Sequence, residues 1–204
     1  MIHHNKCTVA ISSVGQGVLL HNPLGSMGRG RTGGQKFIPT AEEEAEGGLY
    51  WTDDKKSLGF PAYNFHRGLI AASTGWKLPI NKKLALSPVI AGDVTVHPPV
   101  ISFGTTDYEI FVCRAVVEGK GVLRSRPLIK DWKLVLEVHW ESQHLGKDFH
   151  TELLPDLLTR LGHSVGIGDF RPAKKGPFGR FGVDNIEYNG ADPQPKAKGQ
   201  RRSK

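Results

Sequence analysis

An antiparallel α+β fold of ferredoxin-like type, carrying long inserted loops, is what the sequence predicts, and three runs near the C-terminus carry most of that prediction. In residues 132–140 (WKLVLEVHW), Trp132, Leu134, Leu136, Val138 and Trp140 fall on one face, with Lys133, Glu137 and His139 on the other. That alternation marks a half-buried strand. Residues 151–161 (TELLPDLLTRL) place Leu153, Leu154, Leu157, Leu158 and Leu161 in one apolar stripe. Thr151 is the expected cap, Pro155 fits the first turn, and Gly162 ends the helix. A glycine-studded loop then leads into a closing strand in FGRFGVDNIEY. Strand, helix, basic loop and strand make one half of a ferredoxin-like unit.

The remaining elements follow from local signals. Residues 7–14 (CTVAISSV) read as a strand that 17–20 extend past Gly15. Thr40 and Glu43 form a T-x-x-E capping box, and the acids of EEEAE suit the first turn of a short helix that Gly47 and Gly48 stop. Residues 49–61 read as a hairpin with Asp53–Lys56 at its turn. In 62–74, Phe65, Leu69 and Ile70 share a helical face, and Asn64 is a candidate cap. Residues 77–105 hold strand-like pieces (ALSPVIAGDVTV, VISFG) punctuated by Pro and Gly. A strand over 108–117 then turns at Gly119–Gly121 into VLRSRPLI. The expected organisation is a single domain over 1–188 with an inserted loop at 23–39, followed by a disordered basic tail over 189–204.

The net charge of +7 over 204 residues favours a polyanionic partner, but it is unevenly spread. Five cations against Asp192 give the tail +4, leaving about +3 for the body. Cys7 and Cys113 lack CxxC spacing and sit in apolar strand-like runs, as reduced core thiols do. There is no apolar run of the length a signal peptide or bilayer span needs. A cytoplasmic protein with no membrane role is expected.

Few motifs point to catalysis. The nine histidines show no HExxH or paired His–carboxylate spacing, so no metal site is expected, and no cofactor motif stands out. Gly28–Gly33 (GRGRTG) matches GxGxxG formally, but QKFIPT follows where a dinucleotide site needs an apolar helix. What that loop offers is Arg29, Arg31 and Lys36 on a glycine-rich backbone able to approach phosphates. Residues 165–181 (VGIGDFRPAKKGPFGRF) are stronger: four glycines, the cations Arg171, Lys174, Lys175 and Arg180, and three phenylalanines lie in one connection. Glycine-freed amides hold anions, cations neutralise phosphates, and Phe170 or Phe178 can stack on a base. Arg124 and Arg126 share a face by period two and are candidates to grip successive phosphates. Arg67 is a further contact candidate, and His66 beside it is the general base that a metal-independent endoribonuclease would need.

Two segments together resemble a known family. LGFPAYNFHRGLIAAS resembles the apolar–Pro…Arg-Gly helix signature of the RAMP superfamily, the repeat-associated proteins of CRISPR RNA-guided complexes. VGIGDFRPAKKGPFGRFGV is similar to that superfamily's C-terminal glycine-rich loop. Arg67 and Gly68 match the first motif; Gly166, Gly168, Gly176, Gly179 and Arg180 match the second. The type resembled is the seven-type backbone subunit, or a small phage-encoded homologue. The resemblance implies an RRM-like core, an inserted thumb or finger loop, and a guide or crRNA-like RNA held by basic residues and backbone amides. It also implies a homo-oligomeric filament with other effector subunits as partners. The chain is short for such a subunit, and no residue is identified as the target-cleaving aspartate of some relatives, so nuclease activity does not transfer by the resemblance. A non-catalytic RNA-binding subunit is therefore the expectation. The alternatives are a phage-type single-stranded DNA-binding or annealing protein, a metal-independent endoribonuclease, and a structural assembly protein whose tail is merely electrostatic.

Overall fold

A computed structural model describes residues 4–24, 39–117, 120–146 and 148–189. Its centre is a four-stranded antiparallel sheet built from β1 (His4–Ser13), β6 (Val94–His97), β10 (Lys133–Glu141) and β11 (Phe181–Tyr188), in the order β11-β1-β10-β6. Counted along the chain, these are first, second, third and fourth, so the spatial order is 4-1-3-2. A helix α2 (Ala62–Ser73) lies between the first and second, and α6 (Leu154–Arg160) between the third and fourth. That is the ferredoxin-like arrangement that the C-terminal half predicts.

Register explains why the core forms on one side only. Cys7 faces Val138, Val9 faces Leu136 and Ile11 faces Leu134, and all six are buried. Both helices cover this face. From α2 come Phe65, Leu69 and Ala72; from α6 and the π-turn after it come Leu154, Leu157, Leu158 and Leu161, all essentially without solvent exposure. At roughly 1.5–3 kcal/mol per fully buried large side chain, this layer supplies most of the drive to fold. Gly68 matters to the docking: a Cβ there would come 2.7 Å from Leu161 Cδ1. The opposite sheet face carries Lys6, Thr8, Ala10, Lys133, Val135, Glu137, His139, Thr95 and His97. There Glu137 holds His139 at 2.7 Å and Lys6 at 3.3 Å, and the His97 and His139 rings lie 4.6 Å apart.

The insertions make separate small sheets. β2 (Val18–Leu19) pairs with β9 (Lys120–Ile129), which pairs with β8 (Glu109–Val117). β3 (Gly59–Pro61) pairs with β7 (Val100–Ser102), and β4 (Lys77–Leu78) with β5 (Asn81–Ala85). Helix α1 (Ala41–Gly47) carries the expected capping box: Glu43 N–H donates to Thr40 Oγ1 at 3.2 Å and Thr40 N–H to Glu43 Oε2 at 3.0 Å. Helix α3 (Leu86–Asp93) and the short turns α4 (Ser142–Leu145) and α5 (Phe149–Glu152) complete the chain.

Several local expectations are corrected. Residues 18–19 do not extend β1: Gly15 and Gly17, at φ +94° and +87°, turn the chain into the other sheet. Leu86–Asp93 is helical rather than strand-like, because Leu86 and Ile90 are buried at i, i+4 spacing and Pro88 sits harmlessly in the first turn. Pro61, not Asn64, precedes α2, and Thr151 lies within α5 after Asp148 instead of capping the leucine helix. Cys7 is a core thiol, its pKa pushed up to about 12 by burial, whereas Cys113 is only half-buried on β8. The tail beyond Asn189 lies outside the described residues. No helix among the described residues is long and apolar enough to cross a membrane.

Candidate nucleic-acid interface

The two stretches that carry the family resemblance, 58–73 and 165–183, converge on one cleft of about 480 Å³. Its first wall is α2. Tyr63, Arg67 and Ala71 are spaced four apart, so they line one stripe of the helix, with Asn64 beside them. Its second wall is the run Gly166–Asp169 with Arg171, and Leu20, His21, Tyr50 and Phe60 close the remainder. Tyr50 Oη donates to the His21 carbonyl at 3.1 Å and lies 3.4 Å from Tyr63 Oη, which ties the two sides of the mouth together. Burial, then the Tyr63 hydroxyl, raises the Tyr50 pKa well above its ordinary value.

The glycine loop is a rigid wall, and this corrects the expectation that it offers freed amides. Ile167 N–H donates to Gly179 O at 2.9 Å, Asp169 N–H to Leu19 O at 2.8 Å and Gly179 N–H to Gly17 O at 2.7 Å. Those amides are therefore already committed within the protein. The glycines are needed for close approach: a Cβ on Gly168 would collide with the Leu19 carbonyl, and one on Gly179 with the Ile167 carbonyl, both at positive φ. At these positions anion affinity falls to the side chains.

Of the cations read from sequence, Arg67 and Arg171 line the cleft. Arg171 Nη1 donates to the Gly168 carbonyl at 3.0 Å, which fixes its guanidinium at the wall. Among the described residues neither arginine has a carboxylate in ion-pairing range. Arg124 and Arg126 do share a face, but they are held from within. Glu44 accepts from Arg124 Nη1 at 3.2 Å and Arg126 Nη1 at 3.5 Å, and Asp169 accepts from Arg126 Nε at 3.0 Å. Asp169 is thereby compensated, so it does not leave a bare carboxylate in the cleft. Lys174 and Lys175 are exposed on the 3-10 turn outside it, and Arg180 Nη1 donates to the His163 carbonyl at 2.9 Å. Phe178 is corrected: it is 3% exposed and packs edge-on against Phe111 at 4.9 Å, so no base can reach its face. Phe170, 43% exposed, is the aromatic that the loop presents. Arg29, Arg31 and Lys36 lie outside the described residues.

Sequence reasoning missed His21, Tyr50 and Tyr63. His21 has its pKa lowered, first by partial burial and then by the nearby Arg126 charge, so its imidazole is biased to the neutral form. No local pattern marks it, since its role follows from a turn that only the fold creates. His66, the candidate general base, has Nε2 3.1 Å from the Ile90 carbonyl in a part-buried position.

No protein-family model matches the chain, and no curated protein does. Among solved structures it is similar to a chain in the cryo-EM structure of the Type III-B Cmr-beta bound to cognate target RNA. The TM-score is 0.55 at 12% identity, and the match covers 91% of this chain and 60% of that one. The chain thus spans about three-fifths of its neighbour's length, and at this identity the likeness establishes a shared fold.

Proposed function

We propose that this protein is a non-catalytic RNA-binding subunit of an RNA-guided, CRISPR-type ribonucleoprotein of the RAMP kind, and that it grips the RNA backbone in the cleft between α2 and the glycine loop. The observation that carries this reading is the convergence of Arg67 and Arg171 on one cleft, two guanidiniums that no carboxylate among the described residues neutralises. Guanidinium forks match phosphate oxygens in geometry as well as charge. Walls fixed by the glycine contacts lose little entropy when a strand enters. Tyr63 and Asn64 add polar groups suited to ribose hydroxyls, which favours RNA over DNA. The structural neighbour, a chain of a Type III-B Cmr-beta structure bound to cognate target RNA, supports the same reading. The occupation of His66 by a backbone carbonyl favours binding over cleavage. Association with further copies and with other effector subunits belongs to this proposal.

Titration of a fluorescent single-stranded RNA in rising salt tests it. Each phosphate neutralised contributes about 0.7 to the log–log slope. Binding with a measurable slope is expected, together with preference over DNA of the same sequence. A flat slope would end the reading, equal affinity for DNA would turn it towards a single-stranded DNA binder, and cleavage of RNA in EDTA would make it an endoribonuclease.

A further inference from the structure

From Lys55 through Gly92 the sequence contains no Asp or Glu but six cations: Lys55, Lys56, Arg67, Lys77, Lys82 and Lys83. The last three lie on the β4–β5 hairpin, which joins no larger sheet. Every residue of β5 is exposed, as is Ile80 at the tip, 65% open to solvent; Leu84 is 48% open. A two-stranded ribbon is marginally stable on its own in water. This one is anchored only at its base, where Leu78 is buried and Leu86 N–H donates to Trp76 O at 2.9 Å. Trp76 in turn sits under the Arg160 guanidinium at 5.5 Å.

The charge placement has a direction. Lys77 pairs with Ala85 and Leu78 with Asn81, so the bulged residues 82–84, with Lys82 and Lys83 among them, stand exposed close to Lys77 on one short ribbon. Like charges side by side on a ribbon are unfavourable unless a counter-charge lies between them. Some lysines elsewhere on the fold have one: Lys6 meets Glu137 at 3.3 Å and Lys130 meets Glu109 at 2.8 Å. Among the described residues none of Lys77, Lys82 and Lys83 has a carboxylate in range. Exposed apolar side chains next to unpaired ammonium groups suit a strand that offers both phosphates and base faces.

We propose that the Lys77–Ala85 hairpin is a second docking surface for single-stranded RNA, engaging phosphates of the strand that leaves the cleft. This rests on the RNA reading of the cleft. The two surfaces are joined by the C-terminal half of α2, about 9 Å from Arg67 to Ser73 at 1.5 Å per residue, so one strand can touch both.

The test uses the full chain with Lys77, Lys82 and Lys83 changed together to alanine, and a glutamine triple as a second variant in case the first folds poorly. Loss of about 2 from the salt slope, at about 0.7 per phosphate, is expected, with a fall in RNA affinity of about tenfold or more at 0.1 M salt. Thermal stability should stay level, and Lys133→Ala, an exposed lysine on the far sheet face, should leave the slope unchanged. Wild-type slope and affinity in a folded triple variant would overturn the proposal. If the R67A/R171A double variant weakens binding while the lysine triple does not, the cleft reading survives and the hairpin proposal fails. If neither variant weakens binding, both fail. Retained RNA binding together with lost binding to phosphatidylserine vesicles would reassign the hairpin to a lipid surface, again overturning the proposal.

Discussion

Arg126 on β9 and Arg67 on α2 are equally conspicuous as cations in the sequence, yet the fold uses them in opposite ways. Arg126, its side chain 15% exposed, spans Glu44 and Asp169 and joins three separate segments. Arg67 is exposed beside a cleft and, within the described residues, has no ionic partner. The difference is one of neighbours. Glu44 arrives on α1, a helix whose position over β9 is set by its capping box and by the Ser125 N–H, which donates to Glu44 Oε2 at 2.9 Å. No acid exists anywhere from 55 to 92 to do the same for Arg67 or the hairpin lysines. The fold neutralises Arg126, whereas among the described residues it brings no carboxylate within ion-pairing range of Arg67 or the hairpin lysines.

The comparison can be broken in several ways. The largest effect is expected from R67A/R171A: RNA affinity should fall by about 3 kcal/mol, at roughly 1.5 kcal/mol or more per charge-assisted contact, with the melting curve unmoved. Gly179→Ala should lower stability by about 2 kcal/mol, since the residue holds φ +71° against the Ile167 carbonyl; RNA affinity should fall with it, as the wall it supports shifts. E44Q should cost about 2 kcal/mol in denaturant melts. That is below the roughly 3–5 kcal/mol of a fully buried pair, because the Arg124 side chain is 40% exposed. If E44Q also tightens RNA binding, the freed arginines have joined the interface, which would blur the distinction drawn here.

Two smaller effects sharpen it. His21 has its pKa lowered from the usual 6.5 in the folded protein. The unfolded chain therefore takes up the proton more readily, and this group's contribution to stability is present above pH 6.5 and lost as pH falls from there through the folded value. Wild type should lose slightly more stability than His21→Gln between pH 7 and 5, by about 1 kcal/mol or less, and R126A should narrow the gap by removing one source of the shift. Finally, a thiol reagent should modify Cys113 before Cys7 in the native protein, as read by mass spectrometry, because only Cys113 is reachable without unfolding.

Much of the scaffold was legible from periodicity. The alternation of 132–140 and the leucine stripe of 153–161 each predict a buried face, and register and packing bear both out. Helix Leu86–Asp93 was not, since β-branched Val89 and a proline disguise an i, i+4 pair that only the surrounding core makes meaningful. In the site, composition picked out the glycine loop and Arg67 but not their meeting, nor which cations would be compensated. Phe178 shows the limit most clearly. An aromatic between glycines reads as a stacking group, yet β2 and β9 supply Leu19 and Leu128 to bury it.

The bare side of the four-stranded sheet has one more consequence. RNA-binding domains built on this topology read bases with rings set on the two middle strands, and here those strands show solvent Lys6, Thr8, Ala10, Lys133, Val135, Glu137 and His139, with His139 the one ring among them. That ring is already engaged, by Glu137 at 2.7 Å and by the His97 ring at 4.6 Å, and no Phe, Tyr or Trp stands on this face of the two middle strands. On the proposed function, a transcript held along the flank would be gripped mainly by its sugar-phosphate thread, so that letter order would count for little and discrimination would fall to base pairing.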